Sequence, residues 1–150
     1  MAMNDWNSFY EKISDIKFTM LVTRDETNEM HARPFTTQAA GHEGAIWFLS
    51  RTDSDAVKEI QHNGEVLLCY ADTAQNRFIS SAGHATLSQE RADIDALWKP
   101  ADKLFFPEGK DDPALVVVRV AISRADIWDS DKSRMEKMMI MAKADRKSVV

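Results

Sequence analysis

The stretch from Met30 to Ile60 constrains this chain most. It reads Met30-His31-Ala32-Arg33-Pro34-Phe35-Thr36-Thr37, a Gly-containing turn at Gly41 to Gly44, Ala45-Ile46-Trp47-Phe48-Leu49-Ser50-Arg51, then Thr52-Asp53-Ser54-Asp55-Ala56-Val57-Lys58-Glu59-Ile60. The pattern predicts strand, hairpin, strand and helix start. Cationic and hydroxyl side chains gather at the strand ends and around the helix N-terminus. Such a terminus has unpaired N–H groups and the positive end of a dipole, so it favours anions. Arg33, Ser50, Arg51, Thr52, Ser54 and Lys58 form a candidate phosphate set, with Phe35, Trp47 and Phe48 as flat apolar neighbours. The combination suits a phosphate joined to an aromatic ring, as in flavin mononucleotide (FMN). The competing reading is that the arginines are solvated strand-end charges and Thr52 or Ser54 a simple N-cap.

At 150 residues the chain reads as a single domain, 1–150, long enough for a hydrophobic core without disulfides or a structural metal. The net charge of -5 argues against nucleic-acid and acidic-membrane partners, which need a positive field. The one cysteine, Cys69, lies in the apolar run Val66-Leu67-Leu68-Cys69-Tyr70 and reads as a small buried hydrophobe in a reducing compartment. Met1 to Trp6 has no basic region followed by an apolar core, and no apolar run approaches the roughly 20 residues of a membrane span. The expectation is a cytoplasmic protein.

Trp6, Phe9, Tyr10 and Ile13 fall at helical spacing and predict a first helix to about Ser14, capped by Asn4 or Asp5. Strands are expected at 16–23, 29–37, 45–50, 65–71, 77–89 and 114–123, with a short final piece at 124–129. Pro34 cannot donate to a ladder, so its strand belongs at an edge or bulge. The strand at 65–71 reads as buried on both faces, and Gly83 marks a bulge or close approach. A helix over 53–62 buries Ala56, Val57 and Ile60 and ends at an αL stop in Asn63-Gly64. Further helical pieces are expected at 90–97, 101–106 and 133–142, the last with a methionine cluster. Short turns between strands favour a mainly β fold, a six-stranded antiparallel barrel-like sheet with flanking helices.

His31, His42, His62 and His84 show no metal-ligand spacing. No Gly-x-Ser-x-Gly turn, Walker loop or Rossmann fingerprint is present. Trp98, Phe105, Phe106 and Trp128 read either as a satellite core under a long loop or as a wall over a planar ring.

The chain resembles the FMN-binding split-barrel proteins related to pyridoxamine 5'-phosphate oxidase, specifically the bacterial general stress protein branch. Four stretches carry the resemblance: His31-Ala32-Arg33-Pro34-Phe35; Trp47-Phe48-Leu49-Ser50 with Asp53-Ser54; Val66 to Asp72 with Phe78-Ile79-Ser80-Ser81-Ala82-Gly83-His84-Ala85; and Leu97-Trp98-Lys99-Pro100, Phe106-Pro107-Glu108-Gly109 and Ile127-Trp128-Asp129. It implies a six-stranded antiparallel split β-barrel and a homodimer with FMN, or FAD, at the subunit interface. It implies that the strand from Arg33 through Pro34, Phe35 and Thr36 to Gln38 meets the flavin through its backbone, with Arg33 near the phosphate. Leu49, Ser50 and Ser54 would line the phosphate and ribityl side, with Arg51 and Lys58 as further cations. Phe78, Ser80 and Trp128 would approach the cofactor, partly from the other subunit.

Two departures matter. Where the family commonly has a lysine two residues after the serine, this chain has Ala56, which weakens phosphate binding by about 1–3 kcal/mol unless Arg51 or Lys58 compensates. Asp129-Ser130-Asp131 replaces the substrate signature of the true oxidases, so oxidation of pyridoxine 5'-phosphate is not expected. The implied role is flavin-mediated redox transfer with a small-molecule partner; the alternatives are a non-catalytic flavin-sensing stress module, or a split barrel for a deazaflavin or haem.

Overall fold

The computed structural model describes residues 6–129 and, as backbone, 134–139. Three helices, α1 (Trp6–Ser14), α2 (Asp55–His62) and α3 (Arg91–Leu97), flank one antiparallel sheet. Its strands are β1 (Phe18–Arg24), β2 (Met30–Thr36), β3 (Ala39–Ala40), β4 (Ile46–Arg51), β5 (Glu65–Asp72), β6 (Arg77–Ser88), β7 (Leu115–Asp129) and β8 (Arg134–Met139). The path runs β2-β1-β5-β6-β7-β4-β3, with β8 alongside the end of β7.

Seven strands on the path exceed the expected six because β3, only two residues long, carries no sequence signal of its own. Residues 124–129 continue β7 instead of forming a separate strand. Over Arg134–Met139 the expected helix is a strand, because the free side of β7 offers a ladder there that outweighs local helix propensity. The proposed caps Asn4 and Asp5 lie outside the described residues.

The expected hairpin between 30–37 and 45–50 is also different. β2 pairs with β1 at one end of the path, whereas β4 pairs with β3 at the other. Only Thr37 and Gln38 separate β2 from β3. The Thr37 N–H donates to the Lys17 carbonyl (3.1 Å) and the Gln38 N–H to the Trp47 carbonyl (2.8 Å). A two-residue link can join the two path ends only if the sheet curls until they meet, which makes a half-barrel.

The main core fills this curl. Leu21, Phe48, Leu68, Val118 and Ile122 are fully buried there, and α1 adds Phe9 and Ile13. A second cluster, with Trp47, Ile94, Leu97, Phe106 and Val117, lies under α3 on the other face of β4. Strand β5 is covered on one face only: its alternation leaves Leu67, Cys69 and Ala71 less buried than Val66, Leu68 and Tyr70, contrary to the two-sided burial expected. Cys69 is accordingly half-buried, with burial raising its thiol pKa. Among the described residues no helix is long and apolar enough to cross a membrane.

Two glycines answer to close contact. The β6–β7 register shifts between Ala82 and Gly83, and a Cβ on Gly83 would lie 2.4 Å from the Ala121 carbonyl oxygen. Helix α2 ends on an extended Asn63 (φ -148°), so the αL stop expected at Asn63-Gly64 is absent. Gly64 is favoured instead because a Cβ there would lie 2.9 Å from the Ala85 carbonyl oxygen, which is backbone and cannot swing away.

A clasp ties α2 to the β1–β2 hairpin. Arg33 donates to Glu59 (3.1 Å) and to Thr23 Oγ1 (3.0 Å), and Thr23 donates to Glu59. Burial disfavours the charged form of Glu59, but the hydrogen bonds from Thr23 and Arg33 and the Arg33 charge outweigh it and lower its pKa.

Gly83→Ala is expected to destabilise the fold by about 1–3 kcal/mol in urea denaturation, since backbone has to move to admit the methyl group. Glu59→Gln is expected to cost about 1–3 kcal/mol at about pH 7. Because the folded-state pKa of Glu59 is depressed, its contribution is present above the unfolded value of 4.5 and lost as pH falls through the folded one. Thermal unfolding is therefore expected to separate wild type from Glu59→Gln at neutral pH and to converge in acid.

Candidate functional site

A cavity of about 390 Å³ lies where β2, the β4–α2 turn and the loop after α3 converge. Such a volume is within the range of small-molecule sites. One wall is the outer strand β2, through Pro34, Phe35 and Thr36. The β2 edge that follows from Pro34 is observed: β2 ends the sheet path.

The opposite wall is the end of β4 and the start of α2: Leu49, Ser50, Arg51 and Ser54. Ser54 is the N-cap of α2, its Oγ accepting from the Val57 N–H (3.2 Å) and lying 3.2 Å from Ser50 Oγ. Thr52 is not the cap. Arg51 donates to Asp53 (3.3 Å) and Asp112 (3.3 Å), with its guanidinium carbon 6.0 Å from the Phe106 ring centre. Desolvation disfavours its charge, but the two carboxylates outweigh that and raise its pKa.

The third wall is the loop after α3. Residues Pro100–Leu104 form a 3₁₀ turn where a helical piece at 101–106 was expected. Phe105 is 71% exposed and Phe106 only 5% exposed, and both line the cavity. The two readings of the late aromatics therefore divide: Trp98 and Phe106 pack with the second core, while Phe105 stands free as a wall. Gln38 and Asp102 complete the lining, joined by a hydrogen bond from Gln38 Nε2 to Asp102 Oδ2 (2.7 Å). The resemblance implied only a backbone contact for Gln38 and nothing for Asp102, since no local pattern links side chains so far apart in the chain.

Of the residues singled out from the sequence, Pro34, Phe35, Thr36, Leu49, Ser50, Arg51 and Ser54 share this cavity. Arg33 is not among its lining; its guanidinium turns to Glu59 and Thr23. Lys58 is exposed on α2 and lines no part of it, and Ala56, at the position of the missing lysine, is 2% exposed. Trp47 and Phe48 are no flat neighbours of the cavity: β4 is covered on both faces, which buries them at 3% and 0% exposure. Phe78 and Trp128 pair across β6–β7 on the outer sheet face, with Ser80 two residues along from Phe78.

The structure also gathers a group that isolated spacing does not reveal. At the β1–β2 turn Asp25, Glu29 and His31 place ligand-type atoms within 4.8 Å of one another. Asp25 is already engaged: one oxygen accepts from Thr27 and the Glu29 N–H, and the other meets His31 Nε2 at 2.8 Å. That hydrogen bond raises the His31 pKa.

Known proteins agree with this architecture. A protein from Clostridium acetobutylicum related to general stress protein 26 of B. subtilis superposes with a TM-score of 0.77 at 16% identity, over 90% of this chain and 94% of its own. The general stress FMN/FAD binding protein of Xanthomonas citri gives a TM-score of 0.72 at 25% identity, over 91% and 96%. A pyridoxamine 5'-phosphate oxidase-related, FMN binding protein of Nostoc punctiforme gives 0.65 at 13%, over 87% and 90%. No curated protein matches the chain. The sequence profile of the family described as "Pyridoxamine 5'-phosphate oxidase like" matches residues 4–148, and with its half-barrel sheet and edge cavity the chain belongs to that family.

Proposed function

We propose that the cavity binds FMN, or the FMN half of FAD, and that the protein works as a flavin-dependent redox protein of the general stress type. The observation that carries this reading is the convergence in one cavity of a hydroxyl pair and an arginine at a helix N-terminus with the outer strand of the described sheet path and aromatic walls. The two ends suit the two ends of the cofactor. Ser50, Ser54 and Arg51 supply donors for a phosphate, and Arg51 serves in place of the lysine absent at Ala56. The strand from Pro34 to Thr36 presents backbone groups along the edge of a planar ring, and Phe105 and Phe106 exclude water from its face. Arg33 acts one step removed: its clasp on Glu59 holds β2 against α2 and so fixes the distance between ring and phosphate ends.

The similarity to the Xanthomonas citri and Nostoc punctiforme proteins supports the same reading. When bound, the flavin supplies electron transfer to and from a small-molecule partner. The ionisable cavity groups already make hydrogen bonds: Arg51 through Nε to Asp53 and through one terminal nitrogen to Asp112, Asp102 with Gln38 and the Lys99 N–H. We further propose a homodimer that brings Phe78, Ser80 and Trp128 toward the partner's flavin. The exposure of Met20, Phe78 and Trp128 on the outer sheet face supports it, since apolar side chains there are suited to burial against a second copy.

Titration of dialysed protein with FMN is expected to quench flavin fluorescence saturably. Arg51→Gln is expected to weaken binding about tenfold or more, the worth of a charge-assisted hydrogen bond. Arg33→Ala and Arg51→Gln are both expected to lower Tm, since each takes a guanidinium from a carboxylate, Glu59 or the buried Asp112, but Arg51→Gln is expected to lower affinity more because it also removes a donor from the cavity. Absence of saturable binding by FMN and FAD overturns the reading. Loaded protein that binds FMN but resists reduction by NADPH would assign it to flavin sensing. In analytical ultracentrifugation Trp128→Asp is expected to shift the protein from dimer to monomer.

A further inference from the structure

A second cavity, of about 410 Å³, adjoins the first through Thr36, Gln38, Asp102 and Phe105, which line both. Its own walls are apolar: Phe18 is 55% exposed, Leu104 81%, and Phe105 stands between the two spaces. Its own charges are cationic. Lys17 places its Nζ 5.3 Å from the centre of the Phe18 ring. Lys99 donates from Nζ to the Gln38 carbonyl (2.8 Å) and from its N–H to Asp102 Oδ2 (2.7 Å). Among the described residues the one acid in its lining, Asp102, has that oxygen taken by Gln38 Nε2 and by the Lys99 N–H. A chain with a net charge of -5 thus sets an apolar chamber with two lysines beside its candidate flavin cavity.

We infer that this second cavity is the substrate compartment, and that it takes a flat apolar molecule carrying one carboxylate. The inference rests on the flavin reading of the first cavity. Phe18, Leu104 and Phe105 cover the apolar body, and Lys17 and Lys99 meet the carboxylate where its charge is matched. The shared lining puts the ligand against the ring end of the first cavity, beside Thr36, and away from Ser50 and Ser54. Gln38 is a positioning residue for both spaces: it holds Asp102, and through it the loop bearing Leu104 and Phe105.

Calorimetric titration with naphthoate and with neutral naphthamide tests this, on the protein alone and after loading with FMN. Lys17 and Leu104 line the second cavity and not the first, and both are exposed, so Lys17→Met and Leu104→Ser are expected to fold and to bind FMN as wild type does. Naphthoate is expected to bind the loaded protein without releasing FMN and more tightly than naphthamide. Lys17→Met is expected to weaken it about fivefold, the upper range for an exposed charge pair, and Leu104→Ser to weaken both probes. Equal affinity for acid and amide, release of FMN by naphthoate, or no naphthoate binding to a protein that does bind FMN would each overturn the inference while leaving the flavin reading intact. Failure of FMN itself to bind overturns both, and the titration without FMN identifies that case.

Discussion

The short link through Thr37 and Gln38 is the constraint on which the rest of the structure depends. Two residues join strands at opposite ends of a seven-strand path, and each makes a backbone hydrogen bond to a different side of the seam. The sheet has to curl to satisfy them. Once curled, its inner face encloses Leu21, Phe48, Leu68 and Ile122, whose burial contributes about 1.5–3 kcal/mol each. The curl also brings Pro34 to Thr36 opposite Ser50 to Ser54, which are far from each other along the path. The cavity is a product of closure.

The seam is held by polar contacts as well as by core packing. Gln38 is 7% exposed and donates from its side-chain Nε2 to the Leu97 carbonyl and Asp102, while its backbone carbonyl accepts from Lys99 Nζ. A buried amide left without such partners would cost about 1–3 kcal/mol, so the 3₁₀ loop is anchored where the cavities need a wall. On the other side Arg33, Thr23 and Glu59 fix α2 to the hairpin. Rigid walls around a ligand space reduce the ordering cost of binding.

Much of this was legible along the chain. Helices α1 and α2 follow from apolar residues at helical spacing, and Phe9, Tyr10, Ile13, Val57 and Ile60 are buried as that spacing requires. Pro34 at an edge and Gly83 at a bulge follow from a missing donor and a missing Cβ. Less legible were features set by distant partners. The strand over Arg134–Met139 depends on the free side of β7, and the one-sided burial of β5 depends on what covers each face. Arg33 looked like a free cation because Glu59 is remote in sequence.

The sequence by itself determined the mainly β character, the placement of α2 after β4, and the presence of hydroxyl and cationic groups at that helix start. These are local matters of periodicity, capping and composition. Tertiary structure alone decided which of those groups share a space. It sent Arg33 to Glu59, left Lys58 outside, buried Trp47 and Phe48, and brought Gln38, Asp102 and Phe105 in. The physical reason is that side-chain direction is set by neighbouring strands, and those neighbours are fixed only when the sheet closes.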